Sequence, residues 1–560
     1  MSAAAFAAGF NWRDVVSQAG YYGFGLLFAF APLFRLLQSP IWVYRIIMFG
    51  LSVVEALTAV MCYKTLLLVK PDFHRIYKIL ISCVCGLVNI LCTVNISNRS
   101  EEALALVVWI TVYLLVKIIL CTESKHRVKY EFAMLIVLTW SLTLHTRAVM
   151  LFLGILAVTA LYFLLWHRVL LHGWVYILMV VGYLAASRFI KLYQSQIWTG
   201  IARNSSMTAA SSGFLSLIKS EEINYHTIVS FLRIVVGQLY TACVMTGGLY
   251  IIAIVAFLWR CFPLKKNKEN EKTCAVFVAG AFAFVCTFGT SLGQGLTWLP
   301  GVYYDSEYGY KSFTYMRYFG VYVSPLIMCG LIALQEEKGN IKRIALVSGI
   351  GIVLLTIAWQ IKIYPMLINT TWHTGSDWQF MYLGGMQSGV RSTASNWLLA
   401  SMLLLEIVVL SCVLLCKQRE RWFLLFLIVF LMGERIYTFD YRMLPDEQYA
   451  YNLGNAGYEF VTALKDLIPL DEIYVYDASD KTDHQNFYIY QFLNFEHHII
   501  PTLPETDDFR FVFTNEVLED ELPACWYTKL DSNEYVFIRD YADMVKIRKK
   551  GYTIQMNGNE

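Results

Sequence analysis

The sequence predicts a mainly α membrane protein: a bundle of about 12 transmembrane helices carrying a small C-terminal α/β domain outside the cytoplasm. Three observations predict it. Apolar runs long enough to cross about 30 Å of hydrocarbon recur between residues 41 and 437. Charged residues make up only 16% of the chain and the mean hydropathy is +0.50, against roughly 25% charge in soluble proteins. The acidic residues are segregated: 23 of the 42 Asp and Glu fall within residues 440–560, against ten Lys and Arg there. A boundary therefore lies near Asp440. The domains are expected at 1–40 (an interfacial segment on the outer face), 41–439 (the helical bundle) and 440–560 (the soluble α/β domain).

The expected spans are 41–68, 75–96, 101–121, 129–146, 149–166, 172–190, 228–259, 274–297, 318–335, 342–362, 395–416 and 421–437. Lys and Arg are retained on the cytoplasmic side of membrane proteins, and the alternate connections differ sharply in these residues. Short connections on one side hold eighteen, among them Lys70, Arg127, Arg260, Lys338 and Lys417, while longer ones on the other side hold nine. The first side is cytoplasmic. A multi-pass protein of the cell membrane follows, with both its N-terminal forty residues and its C-terminal domain on the outer face. An outward N-terminus calls for an export signal, and residues 1–40 contain neither a basic n-region nor an apolar core of signal-peptide type. The expectation is a first helix upstream of Met1.

The C-terminal domain reads as mixed α/β. A helix is expected near 456–467, and DEIYVYD, NFYIYQFLNF, HHIIP, FRFVFTN and NEYVFIRD have the short β-branched and aromatic character of strands bounded by turn residues. A lid or acceptor-docking module suits its length. Of thirteen cysteines, Cys525 alone lies in this domain, so the domain folds without an internal disulfide. His484, His497 and His498 lack metal-ligand spacing and read as surface histidines. No metal-binding or nucleotide-binding motif is present in a useful context. No cofactor is specified; a divalent metal stays open.

Outside the C-terminal domain only nineteen carboxylates remain. Glu55 and Glu406 fall mid-span, where a charge is costly and is paired or functional; both are expected to be buried and partnered within the bundle. The outer face holds Asp14, Glu101, Glu102, Glu221, Glu222, Asp305, Glu307 and Asp377, together with Arg99, His145, Arg147, Lys311 and Arg317. Carboxylates beside guanidinium groups at one membrane surface suit a phosphate-bearing lipid. Arginine would grip the phosphate bidentately and a carboxylate would deprotonate an acceptor hydroxyl. Solvated loop charges are the plainer explanation for any one of them. Tyr303, Tyr304, Tyr308 and Tyr310 are placed to stack on sugar rings, although interfacial tyrosines need no ligand to explain them. The segment GYYGFGLLFAFAPLFRLL is apolar but carries three Gly and a Pro, which suits an interfacial helix better than a span, with Trp12, Tyr21 and Tyr22 at the matching depth.

The N-terminal stretch carries a family resemblance. Asn11-Trp12-Arg13-Asp14, Tyr21-Tyr22-Gly23-Phe24-Gly25 and Ala31-Pro32-Leu33-Phe34, followed by a long apolar run, resemble the first outer loop of the bacterial GT-C superfamily glycosyltransferases. Asn98 to Glu102 is similar to the acidic second outer loop of that superfamily, and His145-Thr146-Arg147 to the basic turn after it. Tyr315-Met316-Arg317-Tyr318-Phe319 is similar to the signature opening a later helix. The resemblance is specific over about the first 150 residues and rests on topology and that signature beyond them. It implies transfer of a sugar from a polyprenyl-phosphate carrier to an extracytoplasmic glycan or lipid, with membrane lipids as further partners and no nucleic acid. It also implies a catalytic acid just before Ser2, which the chain lacks along with helix one. Either the coding sequence begins upstream, the expectation adopted here, or this is a relative that has lost the chemistry. Within the chain as written, Asp14, Glu101 and Glu102 are the candidate catalytic carboxylates, and Tyr21, Tyr22, His145, Arg147, Asp305, Arg317 and Tyr318 the candidate substrate-binding residues. Arg147 and Arg317 are expected at the carrier phosphate, with Glu101 or Glu102 nearby. A polysaccharide polymerase or ligase would share the outer arginines, and a transporter would use Glu55 and Glu406 inside the membrane.

The topology is directly testable. A reporter fused after Glu560 is expected to be exported, whereas one inserted in the loop 261–272 stays cytoplasmic; the opposite pattern in a paired phosphatase and fluorescence assay reverses every site assignment.

Overall fold

The computed structural model describes residues 25–37, 40–93, 100–145, 148–197, 224–261, 270–304, 307–316, 318–368 and 392–438 and, in the C-terminal part, 459–460, 463, 473–476, 498–500, 509–514, 522, 525–531 and 534–557. The chain divides into two compact units, one of Phe49–Ile190 with Asn204–Arg442, the other of Met443–Glu560 with Met1–Met48 and Lys191–Arg203.

Helices occupy the expected spans: α1 Leu27–Leu36, α2 Pro40–Val69, α3 Arg75–Thr93, α4 Glu101–Leu120, α5 Ser124–Leu144, α6 Val149–Trp166, α7 Gly173–Ile197, α8 Tyr225–Met245, α9 Leu249–Cys261, α10 Glu271–Tyr303, α11 Val323–Glu336, α12 Ile341–Lys362, α13 Ser392–Cys416 and α14 Glu420–Thr438. Among the described residues six are long and apolar enough to cross a membrane outright, and shorter apolar stretches occur at Gly173–Phe189, Leu249–Cys261, Gly320–Glu336 and Ser401–Cys416. Helix α5 carries Lys125, Arg127, Lys129 and Glu131 in its first two turns, so its apolar run begins late. The chain is a membrane protein with a mainly helical fold.

The span expected over 228–259 is broken. Helix α8 stops at Met245 and α9 starts at Leu249. Between them Gly247 and Gly248 adopt φ of 56° and 83°, left-handed values that glycine alone adopts without cost. The Gly248 N–H closes the end of α8 by donating to the Cys243 carbonyl at 2.8 Å. Neither position has room for a side chain: a Cβ on Gly248 would lie 2.6 Å from Cγ2 of Val408, and one on Gly247 2.7 Å from the Phe430 ring. The break lets α8 and α9 take separate directions, with α9 against α11 and α12, and α8 against α10 and α12. Helix α11 is buried on every side from Val323 to Leu334, as fits a helix surrounded by others.

The end holding Lys70, Arg260 and Glu336 is closed by charge pairs. Glu336 accepts from the Lys70 ammonium and from Arg260 Nε at 3.2 Å, joining the ends of α2, α9 and α11. Burial, and then the nearby Arg260 charge, pull the Lys70 ammonium below its usual range. The same pattern holds the turn after α6: Glu131, fully buried, meets His172 Nδ1 at 2.7 Å and Arg127 Nε at 3.4 Å. Both groups lie on the side read as cytoplasmic.

The C-terminal part contains a six-stranded mixed sheet of β1 Ile473–Tyr476, β2 His498–Ile500, β3 Phe511–Thr514, β4 Trp526–Asp531, β5 Glu534–Ile538 and β6 Gln555–Met556, in the order β2-β1-β3-β5-β4-β6. Strand β1 runs parallel to β2 and β3, and the other pairs are antiparallel. Phe509, Val512, Leu522, Cys525 and Phe537 form its apolar centre. Arg510 holds Asp543 through two contacts, Nε at 2.6 Å and a terminal nitrogen at 3.2 Å, fixing helix α15 Tyr541–Lys549, whose N-cap is Asp540. Burial pushes the Cys525 thiol up to about 11, so it stays protonated and inert. Strand β4 and α15 were not foreseen from sequence, and the strand expected in NFYIYQFLNF lies outside the described residues.

Replacing Gly248 with Leu combines overpacking with a strained φ, and is expected to cost about 2–4 kcal/mol of stability. A lowered denaturation midpoint in detergent checks this; an unchanged midpoint contradicts the tight fit at the break.

Candidate functional site

Helix α4 begins with two carboxylates, Glu101 and Glu102, and both are buried at 2% and 1% exposure. The position explains part of this: unsatisfied N–H groups give a helix N-terminus a partial positive charge that favours anions. Buried carboxylates also need partners, and both are engaged in further interactions. The helix then runs through twenty residues, turns at Cys121–Glu123, and α5 returns through twenty-one residues packed against it. A hairpin of nearly equal arms brings its two open ends together, so His145, the C-cap of α5, stands at the same end of the bundle as Glu101 and Glu102.

A second polypeptide segment reaches that end from α10. After Tyr304 the chain does not continue straight into the next helix; it forms a one-turn helix Glu307–Tyr310, a 3₁₀ turn Lys311–Phe313 and another, Gly320–Tyr322, that leads into α11. The last of these turns packs against α4 and α3. The non-helical backbone is satisfied from the flanking helices. Gln238 Nε2 donates to the Ser312 carbonyl at 3.2 Å while its Oε1 accepts from the Ser291 hydroxyl. Thr241 Oγ1 donates to the Phe313 carbonyl at 3.3 Å, and Gln294 Nε2 to the Tyr315 carbonyl at 3.1 Å. Gly237 makes the approach possible, since a Cβ there would lie 2.6 Å from the Phe313 oxygen.

The side chains of this segment sort into anchors and a rim. Phe313, Met316 and Phe319 are buried, whereas Tyr315 and Tyr318 are half-buried. The Tyr315 hydroxyl donates to that of Tyr318 at 3.2 Å, with their rings 4.6 Å apart. Tyr318 also faces the His145 ring at 6.1 Å, and Tyr315 the Trp298 ring at 6.2 Å. An aromatic row, Trp298–Tyr315–Tyr318–His145, therefore lines the end of the bundle where the Glu101–Glu102 pair is buried. Tyr303 is tied to the start of α8, accepting from Asn224 Nδ2 at 3.2 Å, and Tyr304 is exposed. Tyr310 does not belong to the surface set expected from sequence: it is buried and stacks on Phe313, because the segment folds inward there.

The structure thus brings Glu101, Glu102, His145 and Tyr318 to one end of the bundle. Asp14, Tyr21, Tyr22, Arg147, Asp305 and Arg317 lie outside the described residues. Tyr315 was named in the sequence only as part of the Tyr315–Phe319 signature, and Trp298, Gln238 and Gln294 were not singled out, although two glutamines within apolar helices are a readable signal, since each must find polar partners there. Among the described residues no group of three His, Cys, Asp or Glu side chains is placed to hold a metal ion.

The two mid-span carboxylates separate. Glu55 is buried and lies within electrostatic reach of the Arg435 guanidinium, as expected for a partnered intramembrane acid. Glu406 is not buried; it stands on the exposed side of α13. The reason is helical phase: Leu404, Val408, Ser411 and Leu415 form the buried side of α13, and position 406 falls between their turns.

The structure of ArnT from Cupriavidus metallidurans bound to undecaprenyl phosphate superposes with a TM-score of 0.50, covering 95% of this chain and 92% of that one at 12% sequence identity. The chain has the GT-C fold. No protein-family model and no curated protein sequence matches the chain. The GT-C likeness is therefore one of architecture, and it agrees with the resemblance carried by the N-terminal motifs and by Tyr315–Phe319.

Replacing Gln238 with Leu leaves the Ser312 carbonyl and the Ser291 hydroxyl without their buried partner. The expected loss is about 1–3 kcal/mol, read as a lower unfolding midpoint; stability equal to wild type would mean that the segment 307–316 holds its place without this amide.

Proposed function

We propose that this protein is a membrane glycosyltransferase that moves a sugar from a polyprenyl-phosphate carrier to a hydroxyl of a glycan or lipid acceptor on the non-cytoplasmic face. The observation that carries the reading is the buried Glu101–Glu102 pair at the same end of a GT-C bundle as the aromatic row. Support for the carrier comes from the architecture shared with a protein whose structure holds undecaprenyl phosphate.

The chemistry assigns each group a task. One carboxylate accepts the acceptor's hydroxyl proton as its oxygen bonds to the anomeric carbon, and the bond from that carbon to the carrier's phosphate oxygen breaks. The electron pair leaves with the phosphate, whose growing charge Arg147 and Arg317 neutralise bidentately. Tyr318, Tyr315, Trp298 and His145 present ring faces to the apolar faces of the sugar. Asp14 is the remaining candidate base within the chain, Asp305 a candidate contact to the sugar or acceptor, and Tyr21 and Tyr22 contacts to the lipid at the depth of its headgroup. In this reading the C-terminal domain lies outside the cytoplasm.

With the protein in proteoliposomes and a panel of polyprenyl-phosphate sugars, Glu101→Gln or Glu102→Gln is expected to lower transfer by about 10²–10⁴-fold, the usual worth of a general base, while carrier binding persists. Arg147→Lys is expected to weaken carrier binding, because an ammonium does not reproduce the planar fork. Undiminished transfer by both Gln variants would remove the carboxylate pair from the chemistry.

A further inference from the structure

We infer that the exposed face of α13 centred on Glu406 is a docking site for a transmembrane helix of another protein that carries a lysine or arginine near the middle of its span. Glu406 stands eleven residues before Lys417, the first of the basic residues that mark the cytoplasmic end. At 1.5 Å per residue this places the carboxylate about 16 Å from that end, near the middle of a hydrocarbon layer of about 30 Å.

Its surroundings on the exposed side are wholly apolar. Met402 and Leu403 lie one turn before it and Val409 and Leu410 one turn after, with Val413 beyond, all exposed, Val409 at 62% and Met402 at 55%. The opposite side of the same helix packs on α12 and α14. Glu406 makes no hydrogen bond or ion pair to any described residue. A glutamate side chain is too short to bring its carboxylate from that depth to either membrane surface, so the compensation available to a long basic side chain near a helix end is closed to it. An ionisable group in such a position is costly and ordinarily faces a partner. The neighbouring apolar residues supply contact area; the charge specifies what the partner must bring.

Charge complementarity also argues against a second copy as the occupant. Among the described residues the exposed basic side chain nearest in depth is Arg188, fifteen residues from the start of α7, hence about 22 Å from the cytoplasmic end and some four residues of helix rise too far out. Helix α7 is not among the helices packed closely on α13, so pairing Glu406 with Arg188 of another copy would join two different faces, a head-to-tail contact that generates open chains or rings rather than a two-fold dimer. A symmetric dimer through this face would oppose two carboxylates.

The test uses the full chain in phosphatidylcholine vesicles with two labelled spanning peptides, one of leucines throughout and one with a single central lysine, and reads energy transfer between peptide and protein. The lysine peptide is expected to bind about 3- to 20-fold more tightly than the leucine peptide, the range of interhelical polar contacts in membranes. Glu406→Leu, a change on the exposed side that should not disturb the fold, is expected to abolish that preference, and Glu406→Gln to keep part of it. Equal binding of both peptides, or an unaltered preference in Glu406→Leu, overturns the inference. So does self-association of the wild type that Glu406→Leu removes, which would give the face to a second copy.

Discussion

Non-helical backbone can sit within a helical bundle only if its peptide groups are satisfied from inside the protein, and in this chain the amide of Gln238 meets that requirement. It donates to Ser312 and accepts from Ser291, with Thr241 and Gln294 serving the next carbonyls along. Because those groups are satisfied, the link between α10 and α11 can fold inward, bury Phe313, Met316 and Phe319, and leave Tyr315 and Tyr318 on the rim beside Trp298 and His145. The rest of the candidate site follows from the α4–α5 hairpin, whose nearly equal arms return His145 to the end where Glu101 and Glu102 begin.

The two ends of the bundle are built differently. At the end read as cytoplasmic, short connections are locked by carboxylates that each hold two cationic or imidazole partners: Glu336 with Lys70 and Arg260, Glu131 with Arg127 and His172. At the other end the connections are longer, the aromatic row is half-buried, and the Glu101–Glu102 pair sits at a helix N-terminus, which favours negative charge.

Much of this was legible in the sequence, for identifiable reasons. Long apolar runs have few alternatives to membrane helices, so the spans could be read. Glu101 and Glu102 could be named as candidates because only nineteen carboxylates lie outside the C-terminal domain, whereas His145 and Tyr318 were named chiefly through the family-like motifs His145-Thr146-Arg147 and Tyr315–Phe319. The break at Gly247–Gly248 was missed because the flanking residues are apolar on both sides and hydropathy runs through it without a dip; the glycine pair was the available signal. Glu406 was misjudged because composition gives depth along a helix but not phase around it, and its exposure depends on α13 burying Leu404, Val408 and Leu415 instead. Strand β4 was passed over because WYTKLD lacks the unbroken apolar character of its neighbours, one side of it being the polar side of a sheet.

The central claim is that the end of the bundle holding Glu101, Glu102, His145 and Tyr318 serves a polyprenyl-phosphate lipid. Mass spectrometry of lipids retained by the protein after gentle detergent extraction and purification tests this most directly, with an unrelated membrane protein from the same cells as reference. The account predicts polyprenyl phosphate, free or sugar-linked, enriched well above that reference and displaced by added polyprenyl phosphate. Retention of bulk phospholipids alone, in the proportions of the membrane, would contradict it.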